Sequence, residues 1–148
     1  MRHELRTEIT IDAPPEGVWR AITELAAYRE WNPFIVEGAG AAVVGERLRL
    51  RMEPPGGKGM TFRPRVTAAV PGRAFEWLGK VGVPGLFDGR HRFDLVRTPR
   101  GTRLIHSEQF RGLLVRLMRR SLDGPTRAGF EAMNAALARR VAGDRAST

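Results

Sequence analysis

Leu5, Thr7, Ile9 and Ile11 fall on one side of an alternating run while Arg6, Glu8 and Thr10 fall on the other, a pattern that predicts a half-buried strand at the start of the chain. The period then changes. Pro14 and Pro15 suit the first turn of a helix, Glu16 favours the positive end of its dipole, and Val18, Trp19, Ile22 and Leu25 recur at helical spacing. A second short helical turn is expected over 26–31, and Pro33 stops it while biasing Asn32 toward an extended conformation.

The period of two returns between residues 35 and 110, interrupted by turn signals at 38–40, 45, 54–59, 71–72, 82–85 and 99–101. Leu48, Leu50 and Met52 alternate with Arg47, Arg49 and Arg51, and Phe62, Pro64 and Val66 alternate with Arg63, Arg65 and Thr67, as in an antiparallel meander with one wet face. The remainder has helical spacing, clearest in the stripe of Phe130, Met133, Asn134, Leu137 and Val141. Gly124-Pro125 is expected to divide it into a short helix over 113–122 and a longer one after Pro125, because an interior proline loses a hydrogen bond and clashes with the preceding turn. A frayed tail is expected from about residue 143.

Composition narrows the class. The 148 residues correspond to one domain, long enough to remove about 68–70% of the unfolded surface from water. The absence of cysteine excludes disulfides and thiolate metal sites. No run approaches the roughly 20 apolar residues that span a bilayer, and MRHELRTE lacks the apolar centre of a signal peptide, so a cytoplasmic address is expected. A net charge of +9 raises nucleic acid or an anionic membrane as partners. The excess is almost all arginine, spread along the chain, and fits a coding bias better than a binding footprint; its densest run, Arg111, Arg116, Arg119 and Arg120, is expected to be a solvated helix face. No specific nucleic-acid partner and no transmembrane segment are expected, and the chain is expected to be a monomer or homodimer.

Several local clusters occur in a telling order: Ala13-Pro14, Val18-Trp19, Trp31-Asn32-Pro33, Val70-Pro71-Gly72 leading to Phe75-Glu76-Trp77, then GRHRFDL from Gly89 to Leu95 and GTRLIHSEQFRG from Gly101 to Gly112. Together they resemble the START-like (SRPBCC) superfamily of polyketide cyclase/dehydrase-like and Bet v 1-like helix-grip proteins. The resemblance spans essentially residues 5–141. It implies one α+β helix-grip domain over 1–148, in which a curved antiparallel sheet of about six or seven strands wraps around a long C-terminal helix, with two short helices after the first strand. It also implies an internal cavity for a small, mostly apolar ligand such as a lipid, polyketide or quinone. A cyclase or dehydratase acting on a polyketide-like or aromatic substrate, and a carrier or protein-partner module, are the alternatives. Whether the protein is an enzyme is left open, and no cofactor is expected.

The residues themselves exclude some chemistry. The glycines of PPGGKG at 54–59 lack the flanking elements and the Lys-Ser/Thr ending of a phosphate-binding loop, and no serine sits in a nucleophile elbow. The constellation that carries chemistry lies on the last two strands, with His91, Phe93 and Leu95 on one face of the first and Leu104, His106, Glu108 and Phe110 on one face of the second. A turn pairing Arg97 with Thr102 sets His91 opposite Glu108 and Phe93 opposite His106. A three-residue loop with a glycine bulge would instead bring Ile105, Ser107 and Gln109 to that face. His91, His106 and Glu108 are therefore candidates for cavity lining first, for acid/base catalysis second, and for a two-histidine, one-carboxylate metal site last; no metal is expected. Trp31, Asn32, Trp77, Phe93, Phe110, Met133, Asn134 and Leu137 complete the candidate ligand-binding set. Asn134 is the one polar residue on the inner stripe of the last helix and must find a partner there.

Overall fold

The computed structural model describes residues 2–146, with side chains through residue 142. The elements are β1 (Arg2–Ile11), α1 (Pro15–Thr23), α2 (Tyr28–Trp31), β2 (Ile35–Ala39), β3 (Arg49–Met52), β4 (Met60–Phe62), β5 (Arg65–Val70), β6 (Ala74–Val81), β7 (Phe87–Thr98), β8 (Gly101–Arg111), α3 (Val115–Ser121) and α4 (Arg127–Ala146). A 3-10 turn at Leu25–Ala27 joins α1 to α2, and a π-helical segment at Leu122–Thr126 joins α3 to α4.

The alternating segments pair into a five-stranded antiparallel sheet in the order β1-β8-β7-β6-β5 and a three-stranded sheet in the order β2-β3-β4. The Phe62 to Val66 alternation does not make one strand, because Pro64 has no N–H to continue a ladder and the chain changes sheets there. The Pro64 carbonyl accepts from Leu48 N at 2.8 Å, and Glu46 O accepts from Val66 N at 2.8 Å, so the two sheets remain stitched. The larger sheet grips α4, whose Phe130, Met133, Leu137 and Val141 pack into the core against Leu5, Phe93 and Leu104. The fold is α+β and helix-grip.

Two details differ from the sequence expectation. Gly124-Pro125 does not separate the last two helices: the wider π turn needs no amide donor from Pro125, so the helical path continues from α3 into α4. The helix also runs to Ala146, past the expected fray at 143, and residues 147–148 lie outside the described residues. No helix among the described residues is long and apolar enough to cross a membrane.

Local chemistry holds the first helices in place. Pro15 begins α1, where a missing N–H costs nothing. The buried Tyr28 hydroxyl donates to Ile22 O at 2.5 Å, tying α2 back onto α1. Asn32 Oδ1 accepts from the amides of Phe34 and Ile35, at 2.9 and 2.8 Å, and so closes the turn into β2.

Candidate functional site

The last hairpin takes the tight register, with Thr98 opposite Gly101 and Arg97 opposite Thr102. Consequently two rungs of side chains cross the inner face of the sheet. One runs Leu5, Glu108, His91, Trp77, Val66, and the next runs Thr7, His106, Phe93, Phe75, Ala69. Aromatic rings clamp the imidazoles: His106 lies between Phe93 and Phe130, with centroids at 4.4 and 4.2 Å, and His91 stacks on Trp77 at 4.5 Å. Neither histidine is exposed at all.

Buried polar atoms in such a place must satisfy one another. The His106 carbonyl can only accept, so the Thr7 hydroxyl at 2.8 Å donates to it. With that hydrogen committed, Thr7 Oγ1 accepts from Asn134 Nδ2 at 2.9 Å, which turns Asn134 Oδ1 toward His106 Nδ1 at 2.8 Å. His106 therefore carries its proton on Nδ1 and leaves Nε2 bare. His91 Nε2 donates to that bare nitrogen at 2.6 Å, and its own Nδ1 faces Glu108 Oε1 at 3.1 Å. A neutral His91 has only a lone pair there, so Glu108 must donate. One carbonyl thus sets the direction of five successive hydrogen bonds, and they end on a carboxylic acid.

The electrostatics agree with that direction. Burial pushes the Glu108 carboxyl up to about 8 and the His91 imidazole down to about 3. Burial, and then the neighbouring His91, push His106 well below the ordinary histidine range, against the bond to Asn134. The metal alternative fares badly, since all four imidazole nitrogens are engaged within the chain of hydrogen bonds.

A cavity of about 320 Å³ opens beside Glu108, between the ends of β6, β7 and β8, the smaller sheet, and the α3 and π segments. Trp77, Glu108 and Phe110 of the candidate set line it. The others do not. His91 and His106 sit behind Glu108, wedged among rings. Phe93, Met133, Asn134 and Leu137 are buried core, because Phe130, Met133 and Leu137 already fill the space between α4 and the sheet. Trp31 packs edge-on against Tyr28 at 5.3 Å, and Asn32 is committed to its turn. The expected cavity wall on the long helix is therefore corrected to one built by Met118, Ser121, Leu122 and Thr126, from α3 and the π segment. Gly79 and Gly89, paired across β6 and β7, also line the cavity. A Cβ on Gly89 would collide with Glu108 Oε2, so the glycine makes the room that the carboxyl occupies. Glycine inside a strand signals such close approach, and that signal was available in the sequence.

Residues 2–142 match the family described as polyketide cyclase / dehydrase and lipid transport. The chain belongs to this family. No curated protein matches the sequence significantly. Among solved structures, this polyketide cyclase/dehydrase and lipid transport family member is similar to the Zhui aromatase/cyclase from Streptomyces sp. R1128, at 15% identity and TM-score 0.77 over 95% of this chain and 94% of that one. It is similar to the di-domain ARO/CYC StfQ from the steffimycin biosynthetic pathway at 16% identity and TM-score 0.77, over 99% of this chain and 53% of that chain. Protein MLL2253 from Mesorhizobium loti shares 23% identity and a TM-score of 0.70, over 93% of this chain and 95% of that one. At these identities the likeness carries the fold.

Proposed function

We propose that the protein binds one small, mostly apolar molecule in the cavity beside Glu108. The observation that carries this reading is the contrast in the lining. Apolar side chains such as Met52, Phe62, Phe87 and Phe110 surround a space of about 320 Å³, and the polar side chains there are Lys58, Glu108, Ser121 and Thr126. That composition and volume suit a ligand held by apolar burial and oriented by few hydrogen bonds. Membership in a family that includes lipid transport supports the same reading. In this account exposed Arg116, Arg119 and Arg120 form a solvated face of α3, while Arg111, expected on the same helix face, instead ends β8, and no specific nucleic-acid partner is proposed for them. Native mass spectrometry of purified protein tests the proposal. A co-purified small molecule, lost when Phe110→Asp places a charge in the lining, is expected; a ligand-free protein that also fails to take up apolar dyes would contradict it.

A second reading is favoured by one observation. Glu108 borders the cavity with His91 directly behind it, the arrangement of a general acid backed by a base. A cyclase or dehydratase acting on a polyketide-like substrate would use that pair, and Glu108→Gln would then lower turnover by roughly 10²-fold or more. Single-turnover assays with aromatic polyketide-like substrates separate the two readings.

A further inference from the structure

The direction of the buried hydrogen bonds fixes what Glu108 can offer a ligand. Oε1 is spent on His91 Nδ1. Oε2 has no hydrogen-bond partner among the described residues, and it lies against Gly89, a residue of the cavity lining. Suppose the acid proton moved to Oε2 to serve a ligand carbonyl. Oε1 and His91 Nδ1 would then face each other at 3.1 Å as two lone pairs, too close together for a water to stand between them. Suppose instead that the proton crossed to His91. Glu108 would become a carboxylate and Oε2 a stronger acceptor. In both favourable arrangements the pair shares one proton, is neutral overall and shows the cavity an acceptor.

Reversing the whole chain does not escape this. For His91 to donate from Nδ1 while remaining neutral, His106 would have to donate from Nε2, Asn134 would have to flip, and Thr7 would have to turn its hydrogen to Asn134. The His106 carbonyl would then lose its Thr7 donor. The reversed chain also ends on a carboxylate, which is again only an acceptor. The other charged side chain on the lining, Lys58, is exposed, so water screens its pull on an anion and it does not offset the cost of bringing a carboxylate to Glu108 Oε2.

We propose that the cavity selects a neutral apolar molecule carrying a hydroxyl or N–H donor, which is delivered to Glu108 Oε2, and that it disfavours molecules whose polar group at that position only accepts. This deepens the binding reading above and rests on it. Thr7, His106, Asn134 and His91 are positioning residues: they hold Glu108 in its role without touching the ligand.

Binding of 2-naphthol, 2-methoxynaphthalene and 2-naphthoate at pH 7, measured by calorimetry, tests the selection with one ring system and three polar groups. Naphthol is expected to bind roughly 3- to 10-fold more tightly than the methyl ether, the yield of one net hydrogen bond, and the carboxylate is expected to bind most weakly. Glu108→Met should bring naphthol and its ether to equal affinity. Glu108→Gln should restore the difference, because its amide N–H can donate to His91 Nδ1 while its oxygen takes the place of Oε2. Equal binding of naphthol and ether by the natural protein, or tightest binding of naphthoate, would overturn the donor selection and leave the cavity reading standing. Failure of all three to bind would overturn both. The comparison of the three probes on the natural protein decides the matter even if Glu108→Met does not fold.

Discussion

Two carboxylates on the same sheet lead opposite lives. Glu76 on β6 points to the outer face, where Arg90 and Arg92 donate to it at 2.8 and 2.9 Å and Thr67 donates at 2.8 Å. Burial alone would raise its pKa, but hydrogen bonds from Arg92, Arg90 and Thr67 outweigh that and hold it below the ordinary value. Glu108 on β8 points inward, meets no cation, and is raised to about 8 by burial. Alternation assigns the faces: Glu76 stands opposite Arg92, while its neighbour Trp77 stands opposite His91. One residue along the strand changes a charged, water-edged cluster into a neutral chain. The difference teaches that the partners a carboxylate meets decide its protonation, since both are largely buried.

The comparison can be broken most violently at the rings that keep the inner face dry. Phe130 stacks on His106 and lies 4.9 Å from His91, so Phe130→Ala removes one wall of the chain and should cost about 3–5 kcal/mol by denaturant titration. Met133→Ala and Leu137→Ala, deeper in the same core, should cost about 2–5 kcal/mol each, and neutral effects at both would show that α4 does not carry the core.

A sharper test applies one substitution to both carboxylates. Glu76→Gln removes the charge that Arg90 and Arg92 are paired with and should cost about 1–2 kcal/mol at pH 7, discounted because both arginines are partly exposed. Glu108→Gln copies the protonated acid without the proton uptake that a raised pKa demands at pH 7, so it should cost nothing and is expected to stabilise the fold by roughly 1–3 kcal/mol. Equal losses at the two sites would mean that Glu108 is charged as well.

The pH dependence follows from the same contrast. His91 and His106 have depressed pKa values, so the folded state binds fewer protons than the unfolded one and stability is lost as pH falls below about 6.5. Glu108 has a raised pKa, so its contribution is fully present below its unfolded value of 4.5 and is lost as pH rises toward about 8. Above pH 6.5 only the carboxyl acts among these three. Between pH 6.5 and 8 stability should therefore fall by about 1–2 kcal/mol, at most one proton's worth per pH unit, and Glu108→Gln should flatten that decline. Denaturant midpoints at the two pH values measure it.

The inner faces of the strands, the order of strands and helices and the isolated polar position of Asn134 were readable from periodicity, because burial and secondary structure share that signal, whereas the wrapping of the sheet around the last helix came only from the family resemblance. The hairpin register was not, since Thr-Pro-Arg-Gly suits both a tight turn and a bulged one. The cavity was misplaced for a related reason. An inward apolar stripe looks the same whether its side chains fill a core or border a space, so Met133 and Leu137 could not be told apart from lining residues. Gly79 and Gly89 meet on the cavity lining only when β6 and β7 pair, and it is there that Gly89 leaves room for the Glu108 carboxyl. Likewise His106 and Asn134 stand 28 residues apart in the chain, and only the grip of the sheet on α4 joins them.

Nitrogen-15 NMR of labelled histidine, followed from pH 5 to pH 8, tests the polarised chain most directly. The account predicts that His106 is protonated on Nδ1 and bare on Nε2 throughout. It predicts that His91 donates from Nε2 and that His91 Nδ1 shares the Glu108 proton, with neither ring titrating near 6.5. Two histidines with bare Nδ1 atoms and ordinary titration in that range would contradict it.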